Sequence, residues 1–255
     1  MKKIYLLSAL LVFTSFVNAD NEVLTAKSPE HRVSLLELYT SEGCSSCPPA
    51  DQFLAGLKGA GVTNIQLIPL AFHVTYWDYI GWKDPYASPA HDDRQRKTAQ
   101  LDQARRIYTP QFVLNGSDYR DYEHFSENIR KVILQIAEIG LTLNASKSNK
   151  NTQVELKADL SASDIDEVVF YLVLYENELV SDVQDGENEG ETLHHDYVVR
   201  KIHGPFVQKK KNEIASFKQT IDFDSGWKPE DLGLVAYAQN PRTGKILQAV
   251  ELKLF

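Results

Sequence analysis

The hydrophobic period of this 255-residue chain changes once, at Gly140, and that change limits the folds open to it. Upstream, apolar strands alternate with helical stretches. Val33–Tyr39 and Ile65–Phe72 are nearly continuous apolar runs, the pattern of strands covered on both faces. Pro48–Lys58 carries Phe53, Leu54 and Leu57 at helical spacing, and His91–Arg106, polar and rich in Gln and Arg, reads as an exposed helix. Phe112–Leu114 followed by Asn115-Gly116 is a strand entering a tight hairpin turn. Phe125, Ile129, Val132, Ile133 and Ile136 share one face of a helix that ends at Gly140. Downstream the helical period vanishes. Leu141–Leu143, Val154–Leu160, Val168–Tyr175, Ile214–Phe223, Leu232–Ala238 and Ile246–Leu254 read as strands, with a turn at Asn240–Gly244. The pattern predicts an α/β domain over 30–140 and an all-β, immunoglobulin/fibronectin-like sandwich over 141–255.

The first residues form a separate unit. Met1-Lys2-Lys3 precedes an apolar run of 14 residues, Ile4–Val17, and Ala19 offers a small cleavage-site residue. That reads as a secretory signal peptide over 1–19. The run is shorter than the ~20 residues a spanning helix needs, so no stable membrane insertion is expected after cleavage. Loss of Lys2 and Lys3 takes the net charge from −8 to −10. Such an acidic surface argues against nucleic acid and anionic membranes as partners. The expected location is periplasmic or secreted.

The chain has two cysteines, Cys44 and Cys47, three positions apart. A pair this close restrains the unfolded chain little, so it makes a poor staple and the apolar core must hold the fold. Chemistry is the better use for it. CxxC here follows a buried strand and opens a helix, where unpaired N–H groups and the helix dipole stabilise a thiolate. Cys44 is expected to be the exposed attacker and Cys47 the shielded resolver. Glu37, alone in an apolar strand, is either a proton acceptor for Cys47 or the partner of a buried Lys or Arg.

The strings ELYTSEGCSSCPPAD (Glu37–Asp51), HVTYWDYIGWKDP (His73–Pro85) and GENEGETLHHDYVVR (Gly186–Arg200) resemble an uncharacterised family of secreted bacterial thioredoxin-like proteins. The resemblance implies that the first domain is thioredoxin-like. It also implies that Pro110, before the strand at Phe112, is cis and lies beside the cysteine pair, with the Thr109 backbone holding a substrate peptide. It brings no established reaction.

His73–Pro89 is rich in aromatic residues. His73, Tyr76 and Trp77 read as a substrate-binding wall, with His73 a candidate cation beside Cys44, and Trp82 and Tyr86 as a plug. His194-His195-Asp196 is not expected to bind metal, because adjacent strand residues point to opposite faces. Asp185–Glu189 lacks EF-hand spacing and reads as a solvated loop. No Ser-His-Asp arrangement, phosphate loop or HExxH run is present. The residues together point to a thiol–disulfide oxidoreductase acting on protein or small-molecule thiols and disulfides, without cofactor or metal. Two alternatives remain: a copper metallochaperone using Cys44, Cys47 and a nearby His, and a non-catalytic binding module. Oligomeric state is not legible.

Overall fold

The computed structural model describes residues 23–147, 150–209 and 214–254; the signal-peptide reading of 1–19 lies outside them. The first part of the chain runs β1 (Val23–Lys27), β2 (Ser34–Thr40), α1 (Pro48–Gly56), β3 (Leu67–His73), α2 (Pro89–Leu101), β4 (Gln111–Leu114), β5 (Ser117–Asp118) and α3 (Phe125–Ile133). Strands follow: β6 (Gly140–Lys147), β7 (Asn151–Asp159), β8 (Glu167–Glu176), β9 (Leu179–Asp182), β10 (Thr192–His195), β11 (Val198–Lys209), β12 (Ile214–Asp222), β13 (Leu232–Gln239) and β14 (Ile246–Lys253). No helix among the described residues is long and apolar enough to cross a membrane.

The expected thioredoxin-like domain followed by a separate sandwich is overturned by the sheet topology. One eight-stranded sheet runs in the order β14-β13-β8-β11-β3-β2-β4-β5, so it crosses position 140. The crossing strand is β11, parallel to β3 at Val198↔Ala71 and antiparallel to β8 along its length. Its sequence hides it. Polar residues and Gly204-Pro205 interrupt the alternation, and the register shifts between His203 and Phe206. At Gly204, φ is +124° and an added Cβ would lie 2.6 Å from the Phe170 carbonyl oxygen, so the irregularity requires glycine.

Packing shows the same continuity. Strand residues alternate between faces. Leu35 and Tyr39 of β2, Ile68, Leu70 and Phe72 of β3, Val169, Tyr171 and Val173 of β8, and Val235 and Tyr237 of β13 form one core on a common face. The opposite face is divided. Leu36 and Leu38 pack with Leu54 of α1 and Ile129 of α3, while Val168, Phe170, Leu172 and Leu174 pack against a second sheet, β1-β6-β7-β12. Burial of β8 on both sides explains its unbroken apolar run.

Helix α2 is a further correction. Read as exposed, it buries His91, Asp92, Arg94, Gln95 and Thr98. Arg94 lies inside the shared core, with its guanidinium carbon 5.2–5.5 Å from the ring centres of Phe72, Tyr171 and Tyr237. Its Nε donates to Glu37 Oε1 at 2.6 Å. The polar composition therefore marks a helix whose buried face is satisfied by partners on the sheet, which composition alone does not separate from a solvated face.

Candidate functional site

Strands β2 and β3 are parallel, with Thr40 beside His73 at their carboxyl ends. Ligands bind at this end of open α/β sheets. Beyond Thr40 the chain turns tightly: Gly43 N donates to Ser41 Oγ at 3.1 Å and Cys44 N to the Ser41 carbonyl at 3.1 Å. Cys44 and Cys47 form a disulfide, with Cα atoms 5.4 Å apart. Cys47 caps α1, and Pro48 and Pro49 occupy its first positions, where no N–H partner is required.

The structure does not expose Cys44. Its relative accessibility is 1%, and that of Cys47 is 0%. A cover from the β9–β10 connection explains the difference. Asn188 Nδ2 donates to the carbonyls of Glu42, at 2.7 Å, and Cys44, at 3.1 Å. Ser45 N donates to Glu187 Oε2 at 2.9 Å, holding that carboxyl below the usual range. Trp77 and Ile80 pack close to Gly43, and Ile80 also lies close to Gly186 of the cover. The acidic segment read as a solvated loop is thus held to the backbone of the cysteine turn through Glu187 and Asn188.

The Thr109–Pro110 bond is cis. Pairing of Tyr39 with Gln111 carries Pro110 to the sheet end from which the cysteine turn emerges. Trp77 spans the two, with Nε1 donating to Thr109 Oγ1 at 2.6 Å. Tyr76 donates to Gln95 Oε1 at 3.1 Å, and Gln95 Nε2 to the Tyr108 carbonyl at 2.9 Å. Glu37 is committed to Arg94; burial pushes its carboxyl up against the opposing effect of the guanidinium. The carboxylates flanking the pair are instead Glu42, two residues before Cys44, and Asp51, four after Cys47, whose backbone N donates to the Cys47 carbonyl at 3.1 Å.

His73 is no open wall: it is fully buried, with Nδ1 2.7 Å from Asp84 Oδ2. Burial opposes ionisation of Asp84, but His73 and the N–H groups of Glu42 and Tyr86 hold it below the ordinary carboxylate range. The His195 ring lies edge-on to His73, centroids 4.9 Å apart, with Nε2 3.1 Å from Glu42 Oε1. Trp82 Nε1 donates to the other oxygen of Glu42 at 2.7 Å, so Trp82 bonds to the cluster as well as plugging it. Burial alone would lower His195, but Asp51 and Glu42 outweigh it and lift the ring to about 9. His91, whose Nδ1 meets the His73 carbonyl at 2.8 Å, is pushed down to about 4 by burial.

His194 and His195 do point apart, His194 outward and His195 inward. His195 instead joins His73 and Asp51, one ligand atom of each lying within 4.8 Å of the others. Glu42, Asp51, Asp84, Asn188 and His195 were not singled out from the sequence as site residues. Their signal lay in the three family-like strings, which contain every one of them.

The family model described as "Protein of unknown function (DUF1223)" matches residues 35–239, well over half of the chain, and the chain belongs to that family. This corrects the thioredoxin-like family expected from the strings. No curated protein matches the chain. Among solved structures it is similar to a protein from Agrobacterium tumefaciens, at 21% identity and TM-score 0.62, covering 88% of this chain and 96% of that one. It is also similar to HBP35 of Porphyromonas gingivalis, at 15% identity and TM-score 0.66, covering 89% and 76%. At these identities the likeness concerns the fold.

Proposed function

We propose that this chain is an extracytoplasmic thiol–disulfide oxidoreductase whose disulfide is reached by lifting the Asp185–Glu191 cover. The observation that carries the reading is the placement of the Cys44–Cys47 disulfide. It closes onto the first turn of α1, at the carboxyl end of the parallel strand pair. A thiolate released there lies at the positive end of the α1 dipole. An extracytoplasmic location agrees with the signal-like start and with the pairing of Cys44 and Cys47 as a disulfide.

The exchange balances without a cofactor. An incoming thiolate attacks Cys44 Sγ, the S–S bond breaks, and Cys47 leaves as a thiolate with the electron pair. A second thiolate then displaces Cys44 from the mixed disulfide, leaving a dithiol and a new external disulfide. In reverse, Cys44 attacks a substrate disulfide and Cys47 resolves it. Protein or small-molecule thiols and disulfides are the partners. Glu187 and Glu42 beside the turn disfavour a strongly stabilised thiolate, so the couple is less oxidising than a dedicated disulfide donor.

Equilibration with glutathione mixtures tests both parts. The reading expects a potential between roughly −180 and −300 mV. A value below about −300 mV marks a structural disulfide and overturns the reading. A value near −120 mV overturns the direction.

A further inference from the structure

His73, His195, Asp51, Asp84 and Glu42 form a buried cluster beside the cysteine helix. We propose that His73 Nε2, His195 Nδ1 and one carboxylate oxygen of Asp51 bind a transition-metal dication of the Zn2+ class. The two nitrogens carry the inference. Both rings are buried, at 0% and 3% accessibility, and neither of these nitrogens has a hydrogen-bond partner. Each ring's other nitrogen meets a carboxylate: His73 Nδ1 meets Asp84 at 2.7 Å and His195 Nε2 meets Glu42 at 3.1 Å. In the neutral ring a proton held toward that carboxylate leaves a lone pair on the other nitrogen, and metal-binding histidines are oriented in this way. His195, lifted to about 9, gives up one proton as the ion binds.

Asp51 completes the set. Its Oδ2 accepts from Thr40 Oγ1 at 2.9 Å, while Oδ1 lies 3.9 Å from His195 Nδ1, too far for a hydrogen bond. One ligand atom of each of the three residues lies within 4.8 Å of the others. Tetrahedral coordination at about 2.0–2.1 Å sets ligands roughly 3.4 Å apart, so binding draws them inward by about 1.4 Å at most. Charge favours this. Asp51, Glu42 and Asp84 surround two imidazoles, and no lysine or arginine among the described residues forms an ion pair with any of the three carboxylates. Two imidazoles and a carboxylate suit zinc better than soft Cu(I). The ligands come from β3, α1 and β10, so the ion would tie the strand that follows the cover to the cysteine helix. No cysteine takes part, which separates this site from a thiolate copper site and from the redox proposal.

The test uses the mature chain with its disulfide intact, titrated with Zn2+ by calorimetry and with Co2+ by absorbance. The expected result is one equivalent of each, with the intense visible bands of four-coordinate cobalt and no thiolate-to-cobalt charge transfer. H73Q and H195Q abolish binding. D84N and E42Q, which keep all three ligands, weaken it by about 10–100-fold. Circular dichroism without metal checks that each variant folds; if the histidine variants do not, the D84N and E42Q affinities and the cobalt spectrum decide. No binding of either ion overturns the proposal. So does unchanged affinity in folded H73Q and H195Q, or in D84N and E42Q, and so does binding that requires reduced cysteines.

Discussion

Asn188 is where the cover can be weakened most selectively. Its amide donates two hydrogen bonds across the buried junction, to the Glu42 and Cys44 carbonyls. Each contributes about 1 kcal/mol net, so Asn188→Ala removes about 2 kcal/mol from the closed state. That is a roughly 30-fold rise in the open population, with a range of about 5- to 150-fold for 1–3 kcal/mol. A neutral phosphine reaches the sulfurs only when the segment lifts. With opening fast relative to attack, its rate follows the open population. Reduction is followed by alkylating the freed thiols and reading the mass shift. The variant should be reduced about 30 times faster than the parent, and both should react equally in denaturant. A rate within twofold of the parent refutes the gate.

One control separates the gate from general loosening. Leu156 is buried in the core between the two sheets, and Leu156→Ala costs about 2–5 kcal/mol there. That loss acts through global unfolding and leaves the local cover intact. If Leu156→Ala accelerated reduction as much as Asn188→Ala, access would be by unfolding and the argument from the two hydrogen bonds would fail.

Glu187 makes the cover pH-sensitive. Its carboxyl is lowered from the ordinary 4.5 by the Ser45 N–H, so its contribution is full above that value and is lost as pH falls through the lowered one. Phosphine reduction should therefore gain an acid-side acceleration that E187Q abolishes; an identical pH profile in E187Q would refute this. Arg94→Met strands Glu37 in the core and should cost about 3–5 kcal/mol in urea unfolding, with Glu37→Gln recovering part of it in the double variant. A loss under 1 kcal/mol would show that the pair does not hold α2 to the sheet.

The elements of this fold were more legible than their assembly. The apolar runs at β2, β3, β8 and β13 and the turn at Asn115-Gly116, where both residues have positive φ, stand out because a period of two and a hairpin dipeptide are local signals. Strand β11 does not stand out. Its buried residues are confined to Val198 and Val199, and the rest is intermediate or exposed around a Gly-Pro bulge. Missing that strand turned one sheet into two domains, because it is the neighbour that seats β8 beside β3. Sheet order is a long-range property, and nothing in a local period states which edge a strand will join.

The site divides along the same line. The cis Thr109-Pro110 step is expected from the family resemblance alone, whereas the Cys44–Cys47 turn at the head of α1 is legible because it follows from position relative to one strand and one helix. The histidine cluster is not, because it exists only once β10 has folded back onto α1. His195 is 144 residues from Asp51 in sequence and 3.9 Å from it in space. Burying three carboxylates and two imidazoles together is costly unless they satisfy one another, and two nitrogens here still lack partners. A fold selected for stability alone gains more from apolar residues at those positions. The same hairpin brings both His195 to the cluster and Asn188 to the cysteine turn. An ion bound at the cluster would therefore act, without touching either sulfur, on the hairpin that carries Asn188 to the cysteine turn.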